Sequence, residues 1–166
     1  MDIRYVDGCA HRSLVGPLFQ EYTDMLLAEE PAFAKYLQLQ RYDEELSHLG
    51  EKYGPPGGRL YLLLFGDEAV GTGALRPLED GLCELKRLYI RPAFRGQGLA
   101  EETVRRLIDD ARALGYRRMV LDTFPFLKGA IHLYKKLGFR EIPSYNGAPM
   151  PDLIYLGLDL TKPNAC

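Results

Sequence analysis

The stretch with the most evident chemistry is Leu88-Tyr89-Ile90-Arg91-Pro92-Ala93-Phe94-Arg95-Gly96-Gln97-Gly98-Leu99-Ala100. A strand-like run ends, a proline forces a turn, and two glycines precede a helical pattern. Glycine lets backbone amides approach a ligand closely and adopts dihedrals closed to other residues. The first turn of a helix carries N–H groups without internal partners and a partial positive charge. Together these make a cradle for a pyrophosphate, to which neighbouring Arg side chains can add charge-assisted contacts. The same glycines would also serve a tight strand-to-helix connection. No Gly-Lys-Ser/Thr follows and the three-glycine dinucleotide fingerprint is incomplete, so neither of those phosphate motifs applies. Lys86, Arg87, Arg91 and Arg95 fall within ten residues. They read either as a solvated charged edge or as a local anion site. Asp122 is an acid in an otherwise apolar run, where burial without a partner is costly.

The elements that must position these residues follow from hydrophobic periodicity. Asp2–Val6 alternates as a short strand. Helical spacing runs from Ala10 to Glu29, weakened at its start by Gly16-Pro17 and ended near Pro31. A second, shorter helix is predicted over Arg41–Leu49, stopped by Gly50. Gly54-Pro55-Pro56-Gly57-Gly58 is the strongest break and reads as a loop leading into a sheet. Leu60–Phe65 and Ala69–Leu75 form a hairpin about Gly66-Asp67-Glu68, and Leu82–Ile90 follows the turn Glu79-Asp80-Gly81 as a third strand. Gly98–Leu114 is the clearest helix. Its apolar face is Leu99, Thr103, Leu107, Ile108, Ala111 and Leu114; Glu101–Arg105 and Glu102–Arg106 form i,i+4 pairs elsewhere on its surface. Arg118–Thr123 is a strand, Leu127–Leu137 a helix closed by Gly138, and Phe139–Ile142 and Leu153–Leu160 are the last strands. The expected architecture is a single domain over residues 1–166, α/β, with a mixed, mostly antiparallel sheet and helices on its faces; the helix from Gly98 serves as a parallel crossover.

Arg95-Gly96-Gln97-Gly98-Leu99-Ala100 resembles the Arg/Gln-x-x-Gly-x-Gly/Ala loop of the GNAT superfamily of N-acetyltransferases. Glu84–Pro92 looks like that family's central strand, and Ala130-Ile131-His132-Leu133-Tyr134-Lys135-Lys136-Leu137-Gly138-Phe139 resembles its second signature. Element order extends the likeness over nearly the whole chain. The resemblance implies acetyl-CoA as cosubstrate, bound in a V-shaped gap between splayed parallel strands, here Leu82–Ile90 and Arg118–Thr123. Backbone of Leu88, Tyr89 and Ile90 would hold the pantetheine arm. Amides of Gly96, Gln97, Gly98, Leu99 and Ala100 would hold the pyrophosphate beside Arg95, and an amide near Leu88 would face the oxyanion. Tyr134 matches the residue that protonates the leaving thiolate; it would otherwise be a packed core aromatic. Glu84 is the first candidate for the base that deprotonates a primary amine acceptor, and Asp122 the runner-up. Their structural alternatives are a salt bridge to Lys86 or Arg87, and hydrogen bonds to loop amides. One departure stands out: Leu127 occupies a position where many relatives carry Asn.

Acceptor specificity is expected from Glu29–Tyr53 and Pro143–Pro151, where Tyr36, Gln38, Gln40, Tyr42, Tyr145 and, adjoining, Asp152 are available; a small-molecule amine is favoured over a protein. An alternative is a non-catalytic acyl-CoA sensor on the same scaffold. A net charge of −2 argues against nucleic-acid binding. Cys9, Cys83 and Cys166 suggest neither a disulfide framework nor a zinc site, so no metal is expected. His11, His48 and His132 are scattered. The charged start Met1–Tyr5 is unlike a signal peptide and no apolar run has membrane-spanning length, so the expected location is cytoplasmic. Sheet edges near the C-terminus are available for pairing, which makes a homodimer the expected oligomer if one forms.

Overall fold

The computed structural model of the chain describes residues 2–34, 42–148 and 152–163. Its strands are β1 (Ile3–Asp7), β2 (Arg59–Phe65), β3 (Glu68–Glu79), β4 (Leu82–Ile90), β5 (Arg118–Thr123), β6 (Arg140–Glu141) and β7 (Ile154–Asp159). Helices are α1 (Arg12–Glu29), α2 (Tyr42–Glu45), α3 (Leu49–Tyr53), α4 (Leu99–Ala113) and α5 (Lys128–Lys136). The strands form one sheet in the order β1-β2-β3-β4-β5-β7-β6. Among the described residues only β4 and β5 pair in parallel; the other neighbours are antiparallel.

The side-chain alternation of the strands feeds two cores. On one face Leu75, Cys83, Leu85, Met119, Leu121, Leu156 and Leu158 pack with Val104, Leu107, Ile108 and Ala111 of α4 and with Tyr134 of α5. On the other, Leu60, Leu62, Leu64, Ala74 and Tyr89 pack with Val15, Leu18 and Phe19 of α1 and Leu49 and Tyr53 of α3. Gly73 lets α4 lie close to β3: a Cβ there would fall 2.5 Å from Thr103 Cγ2.

The parallel pairing of β4 and β5 covers only Leu82–Arg118, Cys83–Met119 and Glu84–Val120. Beyond it β4 stays paired with β3 as far as Ile90–Gly71. β5 stays paired with β7 as far as Thr123–Ile154. Each strand is held on its outer side, so the two must diverge, and the gap opens past Glu84. A bulge sharpens this. The β3–β4 register passes from Ala74–Lys86 to Thr72–Tyr89, giving β4 one extra residue. Arg87 takes the strain at φ 57, and the Thr72 hydroxyl donates to its carbonyl at 2.7 Å.

The mixed α/β sheet with a splayed parallel pair agrees with expectation. Several boundaries differ, each for a local reason. Gly8–Ala10 forms a 3-10 turn, so α1 starts at Arg12 rather than Ala10. Of the helix predicted over Arg41–Leu49, Arg41 lies outside the described residues and the rest holds α2 and only the start of α3; α3 runs through Gly50 and stops at Gly54, whose N–H donates to the Gly50 carbonyl. β3 extends to Glu79, past Pro77. Proline is tolerated there because β2 ends at the Arg59–Leu75 pair, leaving that side of β3 without a partner. The last two strands are narrower than expected, Arg140–Glu141 and Ile154–Asp159.

Candidate active site

A cavity of about 540 Å³ occupies the divergence. Its walls include Leu85–Ile90 of β4, Leu121–Thr123 of β5, Gly96 and Gly98, the first residues of α4, and Tyr134 of α5. Tyr22 and Met25 of α1, with Phe33, Phe124, Phe126, Leu127 and Leu153, complete it.

At the cradle, Gly96 and Gly98 adopt φ 79 and 78, the left-handed region that glycine enters without a steric cost. A Cβ at either would meet nothing within 4 Å, so both open onto free space. Gly98 is the N-cap of α4 and gives no side-chain hydrogen bond to its first turn. The leading N–H groups are therefore available to a ligand rather than capped. Leu99 and Ala100 lie on the cavity wall, whereas Gln97 is exposed and off it. Arg95 donates from Nε to the Ile90 carbonyl at 2.7 Å and sits 5.6 Å from the Tyr89 ring centroid, which fixes the turn.

The basic cluster read from sequence does not act as one patch. Arg91 is claimed by Glu21, with its shortest contact at 2.6 Å, and by the Ala69 carbonyl. Arg87 is buried and donates to both Glu45 oxygens, at 2.8 and 2.9 Å. Lys52 reaches the same carboxylate at 2.5 Å. Burial alone would raise the Glu45 pKa, but Arg87 and Lys52 outweigh it and hold the carboxyl at about 2. Lys86 faces the cavity with its side chain 10% exposed; burial pushes it down to about 8.

Tyr134 is buried, its ring 5.6 Å from that of Phe139. Burial, then the nearby Tyr22 and Asp122, raise its pKa well above the ordinary phenol value, so its hydroxyl remains protonated. Glu84 is buried behind the cavity wall and accepts from Arg76 Nε at 2.8 Å and the Tyr145 hydroxyl at 2.5 Å. Lys86 Nζ is 3.9 Å away. Burial pushes its pKa up; Lys86, Arg76 and Tyr145 together pull it below the usual carboxylate value. Asp122 lies on the cavity wall and accepts from Asn146 Nδ2 at 2.9 Å. The structure thus gathers Tyr134, Asp122, Leu88, Tyr89, Ile90 and the cradle around one space, with Glu84 one layer behind.

Arg76, Glu45, Lys52 and Tyr22 were not legible as site residues, because each arrives from an element distant in sequence and no local motif marks it. Tyr145 comes from the expected loop but contacts Glu84. Tyr36, Gln38, Gln40 and the side chain of Tyr42 lie outside the described residues, as does Cys166; Asp152 is exposed. Among the described residues no cluster of His, Cys, Asp or Glu is arranged to hold a metal ion, and no helix is long and apolar enough to cross a membrane.

Residues 19–139 match the acetyltransferase (GNAT) family. An uncharacterised N-acetyltransferase of Schizosaccharomyces pombe is 40% identical over 134 residues, covering 78% of this chain and 81% of the relative. One of Escherichia coli is 40% identical over 103 residues, covering 60% of this chain and 62% of its own length, so the match spans less than two thirds of that relative. A GNAT-family acetyltransferase structure from Staphylococcus aureus superposes with TM-score 0.74 at 17% identity, covering 96% of this chain and 99% of its own. One from Elizabethkingia anophelis, with acetyl-CoA bound, gives 0.54 at 26% identity, covering 62% and 76%. By sequence match and by fold, the chain belongs to the GNAT family of acetyltransferases.

Proposed function

We propose that this acetyltransferase moves the acetyl group of acetyl-CoA to a primary amine of a small molecule by direct attack within a ternary complex. The observation that carries the reading is the loss of β4–β5 pairing beyond Glu84–Val120, which opens a slot beside an uncapped helix terminus. The slot suits an extended pantetheine arm laid along the freed edge of β4, and the Gly96–Ala100 amides suit its pyrophosphate. The acetyl-CoA-bound relative supports the same cosubstrate here.

In the reaction the amine nitrogen attacks the thioester carbonyl carbon, the C–S bond breaks, the thiolate takes a proton from Tyr134, and the surplus proton on the new amide nitrogen restores the Tyr134 phenol. The high pKa of that phenol keeps the proton available. The attacking ammonium must first lose a proton. Asp122 lies on the cavity wall, with Asn146 donating to it, whereas Glu84 lies behind that wall, engaged by Arg76 and Tyr145. We therefore assign the base to Asp122 and give Glu84 the task of fixing Tyr145, reversing the order read from sequence. Holding both reactants in one slot supplies much of the acceleration.

The test is thiol release with acetyl-CoA and an amine panel, alongside CoA titration by calorimetry. Tyr134→Phe and Asp122→Asn should each lower kcat by roughly a hundredfold while CoA affinity stays close to that of the parent. CoA binding with no amine turned over would leave a binding protein and remove the enzyme reading. The relatives are named as N-acetyltransferases, which does not favour that outcome.

A further inference from the structure

We propose that Lys86 anchors a carboxylate of the acceptor, so that the amines taken are amino acids with apolar side chains; this rests on the acetyl-transfer reading of the same cavity. Lys86 stands two residues beyond the last β4–β5 pair, on the freed part of β4. Its side chain is 10% exposed and lines the cavity. An ammonium has three protons to donate and no acceptor of its own. Among the described residues none of those protons has an acceptor within hydrogen-bond distance. The nearest carboxylate oxygen, on Glu84, is 3.9 Å away and already serves Arg76, while the other Glu84 oxygen takes the Tyr145 hydroxyl.

The cations behind the strand are provided for differently. Arg87 and Lys52 share Glu45 in contacts of 2.5–2.9 Å. Lys86 and Arg87 both border the cavity, but Arg87 is tied to Glu45, whereas Lys86 has no hydrogen bond to a described residue. A buried charge without acceptors destabilises a fold, and buried polar groups are ordinarily hydrogen-bonded. A ligand atom in the cavity would supply an acceptor that the described residues do not. Burial lowers the Lys86 pKa only to about 8, so the group is still mainly cationic at neutral pH.

The rest of the chamber narrows the ligand's chemistry. Asp122, across the gap on β5, is close enough to Lys86 to act on it electrostatically. A cation on one wall and an acid on the other match a zwitterion, with its ammonium toward Asp122 and its carboxylate toward Lys86. Met25, Leu26, Phe33, Phe124, Phe126 and Leu153 supply apolar wall. That surface accepts an apolar or aromatic side chain and would leave a charged one unpaired.

The experiment titrates the intact protein, saturated with CoA, with amino acids and their decarboxylated counterparts: phenylalanine with phenethylamine, leucine with 3-methylbutylamine, methionine with 3-(methylthio)propylamine. At least one amino acid should bind roughly tenfold or more tightly than its amine, since a site built for a charged group rejects the analogue lacking it. Lys86→Met should bring the pair within about threefold, and Lys86→Arg should retain part of the difference. Thermal melts and CoA titration of both variants establish that each is folded. No separation in any pair, or a separation that persists in Lys86→Met, overturns the proposal. Acetyl-CoA turnover run in parallel separates the two readings. An amino acid that binds through Lys86 but yields no acetylated product refutes transfer and keeps the anchor. Plain amines acetylated as efficiently as amino acids refute the anchor and keep transfer.

Discussion

At the residue scale, two buried charges make opposite contributions to stability. The members of the Lys86–Glu84 contact also respond differently: Glu84, with Arg76 and Tyr145 as well, is held below its ordinary pKa, whereas Lys86 is governed by burial. The Lys86 pKa drops from 10.5 to about 8. Below pH 8 it is protonated in both folded and unfolded states and the full penalty of burying the charge applies. Between pH 8 and 10.5 the unfolded chain binds more protons, so stability rises with pH. The shift corresponds to a penalty on the order of 3 kcal/mol. Lys86→Met should therefore stabilise the protein at pH 7 by about 1–3 kcal/mol and flatten the rise above pH 8. Urea unfolding at pH 7, 9 and 10.5 reads both. Glu45 has the reverse sign. Its pKa falls from 4.5 to about 2, so its contribution is complete above pH 4.5 and is lost as pH falls toward 2. Glu45→Gln leaves buried Arg87 without its counter-charge and should cost about 3–5 kcal/mol at pH 7, while weakening the acid-limb dependence. A Glu45→Gln protein with unchanged midpoint at pH 7 would refute that role. The Glu45 assignment was not open to sequence, since its partner Arg87 lies 42 positions away.

At the element scale, what the sequence disclosed were features enforced locally. α4 was legible because its apolar period, glycine punctuation and first-turn acids all agree; five of its six expected face residues, all but Leu114, are buried. The glycine turn ahead of α4 was legible for a related reason, because glycine at positive φ leaves a mark in composition. The β4 bulge was not, because Arg87 occupies φ 57 against its own preference, held by Thr72, Glu45 and the register with β3. The short α2 and α3 were misjudged since a four- or five-residue helix owes its existence to what it packs against rather than to propensity. Two glycines allow the element roles to be separated. Gly98→Asn keeps a residue that tolerates left-handed φ and meets open space, so stability should change by less than about 1 kcal/mol. Its side chain enters the cradle, and CoA affinity should fall roughly tenfold. Gly73→Ala drives a methyl against Thr103 and should cost about 1–3 kcal/mol by overpacking α4 on β3, with the cradle itself untouched. Denaturation paired with CoA calorimetry distinguishes the two; equal effects of both variants on CoA binding would contradict the assignment of the cradle.

At the scale of the whole molecule, the sheet is continuous in topology but held together at its centre by three residue pairs. β1 through β4 form one antiparallel block and β5, β7 and β6 another, joined by pairing from Leu82 to Glu84 alone and by the core under α4 and α5. The composition of each strand revealed its presence, but not where β4 and β5 part, because divergence depends on outer partners that sequence does not align. A ligand in the gap would touch both blocks along the edges they fail to share. CoA should then act as a brace as well as a substrate portion. Saturation to about 100 times Kd stabilises by roughly 2.7 kcal/mol through mass action, which for a chain of this size raises Tm by roughly 5–10 °C. Mass action alone does not say where protection falls, and the geometry does. Amide hydrogen exchange with CoA bound should slow most at Leu85–Ile90, at the first turn of α4 and at Leu121–Thr123, and least in β1, at the far edge. A rise in Tm with exchange slowed instead at β1 and β2 would mean that the carrier binds elsewhere, and the gap would need another occupant.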